Sequence, residues 1–108
     1  MPILKNAQLR PGAASLETLY TAPALTSAII SSLVVCNTSS VETTFRIAIR
    51  PASAGISDVH YLYYYVTIPG NDTFVLTGGI ALATTDVVSV YATLSTVNFQ
   101  MFFQEFVE

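Results

Sequence analysis

Charge is the scarcest property of this chain. Of 108 residues only four are Lys or Arg, seven are Asp or Glu and one is His, so charged side chains make up 10% of the sequence, against about 25% in an average soluble domain. The net charge of −3 and the pI near 4.8 exclude the basic stripe that neutralises phosphates, and with it a nucleic-acid partner. A single cysteine, Cys36, excludes an internal disulfide and fits synthesis in a reducing compartment. Within Leu33-Val34-Val35-Cys36 it reads as a small buried hydrophobe. No apolar run approaches the ~18 residues of a membrane helix, and Met1-Pro2-Ile3-Leu4-Lys5-Asn6-Ala7-Gln8 has no signal-peptide core. The expectation is a protein made in the cytoplasm, without a membrane partner.

Groups for chemistry are equally few. His60 is the sole histidine, so any triad or histidine-based metal site must use it. Asp58 stands two residues away on the same strand parity, but a tetrahedral zinc site needs four ligands and no third or fourth is evident. A hydrogen-bonded histidine at the start of a strand is the plainer reading. Asp72 and Asp86 both fall in turn sequences, where a carboxylate accepts from local backbone amides. Gly78-Gly79 is followed by neither a lysine nor a helix, which excludes a phosphate loop. Asn37-Thr38-Ser39 and Asn71-Asp72-Thr73 match a glycosylation pattern, but no secretory signal accompanies them. The sequence therefore predicts no catalytic residue, no metal, no cofactor and no enzyme.

What remains is β structure. Hydrophobic residues reach 52% with a mean hydropathy of +0.56, so the polar surface is left to Thr, Ser, Asn and Gln. Thr and Val suit a pleated sheet, whereas soluble helices carry Lys, Glu and Arg on their wet face. The chain is the size of one domain, long enough to bury roughly 60–70% of its unfolded surface.

After an extended arm at residues 1–3, a first strand is expected over 4–10, stopping at Pro11-Gly12. A second covers 15–21 and is closed by Pro23. Residues 27–37 carry apolar side chains on both parities, as a strand covered on both sides would. In 41–50, Phe45, Ile47 and Ile49 alternate with Thr44, Arg46, Ala48 and Arg50, a half-buried strand. A loop of about eight residues follows over 51–58. The run Val59-His60-Tyr61-Leu62-Tyr63-Tyr64-Tyr65-Val66-Thr67-Ile68 and the turn Pro69-Gly70-Asn71-Asp72 read as the first arm and turn of a hairpin completed by 73–77. Gly78-Gly79 breaks that second arm, and 80–82 resumes it. Val88, Val90 and Ala92 oppose Val87, Ser89 and Tyr91, and the last strand sets Val97, Phe99, Met101 and Phe103 against Asn98, Gln100, Phe102, Gln104 and Phe106. About seven or eight strands with turn signals roughly every ten residues make a single all-β domain over 1–108, an antiparallel β-sandwich of jelly-roll or immunoglobulin-like type.

Contact surfaces follow from the alternation. Leu62, Val66 and Ile68 suit the core, which turns Tyr61, Tyr63 and Tyr65 outward. An outer row of tyrosines needs a partner, and Tyr and Phe are favoured at interface centres. Subunit packing accounts for the row better than sugar stacking, which normally has more acidic or amide groups beside the rings. Phe102 and Phe106 mark a rim partly covered by a partner, and Arg46 and Arg50 share one side of their strand, open to an acidic neighbour on another subunit although a solvated strand face is the plainer reading. With so few charges to keep copies apart, association is expected.

The segments Leu19-Tyr20-Thr21-Ala22-Pro23-Ala24, Ile30-Ser31-Ser32-Leu33-Val34-Val35-Cys36-Asn37, Phe45-Arg46-Ile47, Tyr63-Tyr64-Tyr65, Asn71-Asp72-Thr73, Gly79-Ile80-Ala81-Leu82 and Val97-Asn98-Phe99 together resemble the small β-sandwich virion proteins of tailed bacteriophages, cyanophages among them. The resemblance runs from about residue 7 to 106 and rests on structural motifs. It implies a non-enzymatic subunit on the virion, a capsid decoration or cement protein that forms homotrimers and clamps the major capsid protein, the alternative being a tail, baseplate or fibre module with a carbohydrate-binding role in host recognition. One departure concerns a turn: Thr84-Thr85 stands before Asp86 where a small residue such as glycine is expected.

Overall fold

The computed structural model describes residues 2–107. Eight strands run in order as β1 (Pro2–Leu9), β2 (Glu17–Thr21), β3 (Thr26–Asn37), β4 (Thr43–Arg50), β5 (Tyr61–Ile68), β6 (Thr73–Leu82), β7 (Val87–Ala92) and β8 (Val97–Val107), with two single-turn 3-10 segments between β4 and β5. They form two antiparallel sheets, ordered β1-β8-β3-β6 and β2-β7-β4-β5. The chain changes sheet at every connection except the one from β4 to β5. That interleaving is the jelly roll, and it decides between the two sandwich types the sequence allows.

The same order corrects the expected hairpin. β5 pairs with β4 in one sheet and β6 with β3 in the other, so residues 69–72 carry the chain across the sandwich. The ladder of β1 already starts with Pro2 opposite Phe106, which makes Pro2 and Ile3 part of an edge strand instead of a free arm. Met1 lies outside the described residues.

The core fills the space between the sheets by strand alternation. β8 contributes Val97, Phe99, Met101 and Phe103, β7 Val88, Val90 and Ala92, β4 Phe45 and Ile47, and β3 Ile30, Leu33 and Val35. Ile30 and Leu33 are three apart, and the reason is a bulge. Opposite β8, Ile30 faces Phe103 and Ser32 faces Phe102, so Ser31 is the extra residue. Opposite β6 the register jumps from Ile80 to Thr77, across Gly78 and Gly79. Both glycines have positive φ, a conformation that glycine adopts without steric penalty. Two sequence readings change accordingly. β3 is covered on one side only, its mixed parity being an inserted residue, and Gly78-Gly79 does not end β6 but bulges within it. Beyond the bulge Cys36 falls on the outward parity, half-buried instead of in the core.

The connections at one end of the sandwich converge on Asn37, which is buried. Its Nδ2 donates to the carbonyls of Val41, Pro69 and Ile68, and its Oδ1 accepts from the Ser39 amide and the Thr96 hydroxyl. Three chain segments distant in sequence are thereby held by one amide. Gly70 packs so closely on the Ser40 backbone that a Cβ would lie 2.2 Å from the Ser40 carbonyl oxygen, which no other residue type fits without moving the turn.

Beyond Phe103 the inner face of β8 carries the buried Glu105. The Tyr20 hydroxyl, from the opposite sheet, donates to its Oε2 at 2.6 Å, and Lys5 Nζ lies 3.0 Å from its Oε1. The Tyr20 bond holds the Glu105 carboxyl below its ordinary value, against burial and with help from Lys5. Burial, then the bond to Glu105 and its charge, push the Tyr20 hydroxyl well above its ordinary value. Glu105 therefore adds stability above its unfolded value of about 4.3, lost as pH falls through the lower folded value. Tyr20 adds stability below its unfolded value of about 10, lost as pH rises beyond it. Tyr20→Phe is expected to cost about 2 kcal/mol at neutral pH and to flatten both limbs of the stability profile. Urea unfolding across pH measures this; an unchanged profile would show that the triad does not hold the sheets together.

The unusual turn before Asp86 has a structural counterpart. Thr85 adopts φ 64, the left-handed region that disfavours a β-branched side chain by about 1–2 kcal/mol. The turn is kept by its surroundings: Asp86 accepts from the amides of Ala52 and Ala83, and the Thr85 amide donates to the Ala22 carbonyl. Thr85→Gly is expected to raise stability by about 1 kcal/mol, read as a higher urea midpoint at an unchanged denaturant slope.

Candidate interaction surfaces

The outer face of the sheet β2-β7-β4-β5 holds an arginine enclosed by tyrosines. Arg46, on β4, lies directly opposite Tyr91 on β7. On its other side β5 carries two register shifts, one between the partners of Phe45 and Ile47 and one between those of Ile47 and Ala48. Tyr65, inside the first shift, has φ 52, so the strand turns and presents Tyr64 and Tyr65 outward together. The guanidinium carbon sits 3.9 Å from the Tyr65 ring centroid, 4.1 Å from Tyr91, 4.8 Å from Tyr64 and 5.8 Å from Tyr61. These are cation–π distances, with the charge over ring faces. Arg46 also donates to the hydroxyls of Tyr65 and Tyr61. Burial works to lower its pKa, but Tyr61, with Tyr65 and Tyr64, outweighs it and holds it above the ordinary value. Its Nε is buried with no hydrogen-bond partner among the described residues.

This differs from the regular row of the sequence reading in a definite way. Tyr61 and Tyr65 do face outward around Arg46. Tyr63 turns inward, with its ring 5.2 Å from Phe74 and packed on the core. Leu62, expected inside, is 47% exposed, and Tyr64 is 54% exposed. The cause is the pair of bulges, since each inserted residue exchanges the two faces of the strand beyond it. Tyr91 was missed because only the β4–β7 pairing brings it beside Arg46, although its parity within β7 was legible.

Arg50 lies on the same strand side but is engaged separately: its Nε donates to Ser89 Oγ at 3.1 Å and its Nη1 to the Ala54 carbonyl at 2.8 Å. The only carboxylate–cation pair among the described residues is Lys5 with Glu105, so neither arginine has an acidic partner among them. The exposed tyrosines meet edge to face, Tyr61 with Tyr64 at 69° and Tyr64 with Tyr65 at 81°, and present no coplanar platform. At the margin, Asp58 with Tyr61 and Tyr64 lines an open cleft of about 280 Å³. His60 is tied locally, its Nδ1 accepting from the Ser57 amide at 3.1 Å. Among the described residues no group of three or more His, Cys, Asp or Glu side chains converges.

No protein-family model and no curated protein matches this chain.

Phe102 and Phe106 lie on the other side of the molecule, on the outward parity of β8. Phe102 stands between Asn6 on β1 and Ser32 on β3, and Phe106 between Pro2 and Ser27. The predicted contact residues thus separate into two opposite faces, Arg46, Arg50, Tyr61 and Tyr65 on one and Phe102 and Phe106 on the other. Tyr63 belongs to neither.

Arg46→Lys keeps the charge but loses the planar group that stacks between Tyr65 and Tyr91. The expected loss is about 1 kcal/mol of stability, with Arg46→Met losing at least as much despite its apolar length. Urea midpoints of the two variants check this. Midpoints equal to the parent's would mean the cluster contributes nothing to the fold and is held by the sheet alone.

Proposed function

We propose that this protein is a non-enzymatic structural subunit of a phage virion, a decoration or cement protein made in the host cytoplasm that self-associates on the capsid surface and bridges major capsid protein subunits. The observation that carries the reading is the Arg46 cluster. Tyrosine and arginine dominate the energetics of protein interfaces, particularly where they are preorganised and shielded from water. Here a guanidinium with no carboxylate partner among the described residues is fixed in place by four tyrosines, two of them about half exposed, on a rigid sheet. A partner meeting this face finds its contact groups already ordered, which lowers the entropy lost on binding. What supports a shell as that partner is the resemblance of the sequence to tailed-phage virion proteins.

A second reading is supported by one feature. Asp58 beside Tyr61 and Tyr64 in an open cleft combines a carboxylate acceptor with aromatic edges, which suits a sugar on a tail or fibre module.

Cryo-electron microscopy of particles bearing this protein separates the two. The expected result is eight-stranded density spanning major capsid protein subunits, with the Tyr64–Tyr65 face in contact with the shell and occupancy lost in Tyr64→Ala/Tyr65→Ala particles. Density confined to the tail, together with a glycan-array signal abolished by Asp58→Ala, would replace the first reading with the second. Absence from the particle would overturn both.

A further inference from the structure

The sheet β1-β8-β3-β6 turns outward a face that carries no charged side chain along its ladders among the described residues. Register and alternation place only Asn, Gln, Ser, Thr, Gly, Pro, Cys and apolar residues there. Lys5 and Glu105 lie on the inner parity and bond each other. Arg10, just past the end of β1, is turned to Asn98 and Thr38. Apolar side chains stand on this face unprotected: Leu4 is 78% exposed, Val75 54%, Ile29 42% and Phe102 39%. A face that is part apolar and part amide, with one cation, Arg10, bonded to Asn98 at its end, is poorly served by water and offers little to a charged partner.

We propose that this face is the pairing surface for a second copy of the chain, packed sheet on sheet about a two-fold axis. Three observations favour a copy over a different protein. Glutamine and asparagine each donate and accept, so Gln100 and Gln104 are complementary to themselves, as charges are not. The extent is sufficient: four strands at about 4.8 Å and some ten residues at about 3.3 Å give roughly 600 Å² per copy, hence about 1,200 Å² for the pair, within the range of specific interfaces. The relief is also two-sided. A hollow of about 320 Å³ is lined by Leu4 on β1, Phe102 on β8 and the bulged Ser31 on β3, and the row from Phe102 continues through Ser32 and Thr77 to the paired glycines, all small. A two-fold axis lays the Leu4–Phe102 ridge of each copy over the small side chains of the other, each contact made twice. Sandwich faces pack in this way within domains, at a separation of about 10 Å. Closure by a two-fold yields a dimer, where the sequence resemblance implies a trimer.

The pairing does not rest on the shell reading, and the two can fail separately. Sedimentation equilibrium of the purified protein is the test, with Cys36, half-buried on this face, as a native reporter. The expected result is a concentration-dependent monomer–dimer equilibrium in which dimerisation slows reaction of Cys36 with a thiol reagent. Gln100→Glu and Phe102→Glu set like charges against their own copy and are expected to weaken the dimer about a hundredfold. Val59→Glu, the same charge placed on an exposed residue elsewhere, leaves the dimer intact. Gln100→Glu, with unchanged circular dichroism, decides the matter if Phe102→Glu fails to fold. A parent that stays monomeric, a trimer, or a dimer insensitive to both face variants would overturn the pairing. A dimer that never appears on particles would instead overturn the shell reading and leave the pairing standing.

Discussion

A β-strand has two faces, and one inserted residue exchanges them for everything that follows. Both outer surfaces of this sandwich depend on that constraint. In β3 the insertion at Ser31 lets Ile30 and Leu33 point into the same core although they are three residues apart. The compensating insertion at Gly78 and Gly79 keeps Leu76 and Ile80 packed against that core from β6. Without the pair of bulges, one half of the sheet would turn its apolar residues outward. In β5 the insertion at Tyr64 and Tyr65 does the opposite work, taking Tyr63 inside and leaving two adjacent rings outside to close on Arg46. The left-handed backbone at Tyr65 is unfavourable for a tyrosine, and such conformations persist where the surroundings over-determine them. Here the surroundings are the guanidinium and the ring of Tyr91.

Legibility in the sequence divides along the same line. β4, β7 and β8 could be read almost residue by residue because their alternation is unbroken where it matters, and the all-β sandwich followed from strand count and turn spacing. Asp72 and Asp86 were legible as turn formers, since each caps amides close in sequence or across a turn. The bulges were not, because an extra residue looks the same as an ordinary one until the partner strand is known. Nor was the crossing at residues 69–72, where a turn sequence common in hairpins joins two different sheets. Tyr91 and Tyr64 entered the Arg46 cluster through pairing and bulging respectively, both set by contacts remote in sequence. Asn37 read as the end of a strand; its role as a hub depends on carbonyls about thirty residues away.

The hub matters to the surfaces because it fixes the frame beneath them. A buried amide satisfied on both its oxygen and its nitrogen orders the segments it joins, and losing one partner leaves an uncompensated polar group. The Tyr20–Glu105–Lys5 triad joins β2, β8 and β1 in the same manner. With the sheets tied by both groups, the outer side chains stand on a scaffold that does not have to reorganise on contact, which is the condition for a small surface to bind well.

The placement of charge then distinguishes the two faces. Of the four cations, Lys5 is paired, Arg10 and Arg50 are tied to neutral oxygens, and Arg46 is held among rings. Stacking two copies through their tyrosine faces would bring Arg46 towards Arg46, a like-charge contact that an interface penalises, with Asp58 the carboxylate at the margin of that face. Stacking through the opposite faces brings together mainly amides, hydroxyls and apolar groups, with Arg10 at one end tied to Asn98. The molecule is thus polarised across its thickness. Its nearly uncharged side suits a copy of itself, and its cationic, aromatic side suits a partner that brings a carboxylate to Arg46.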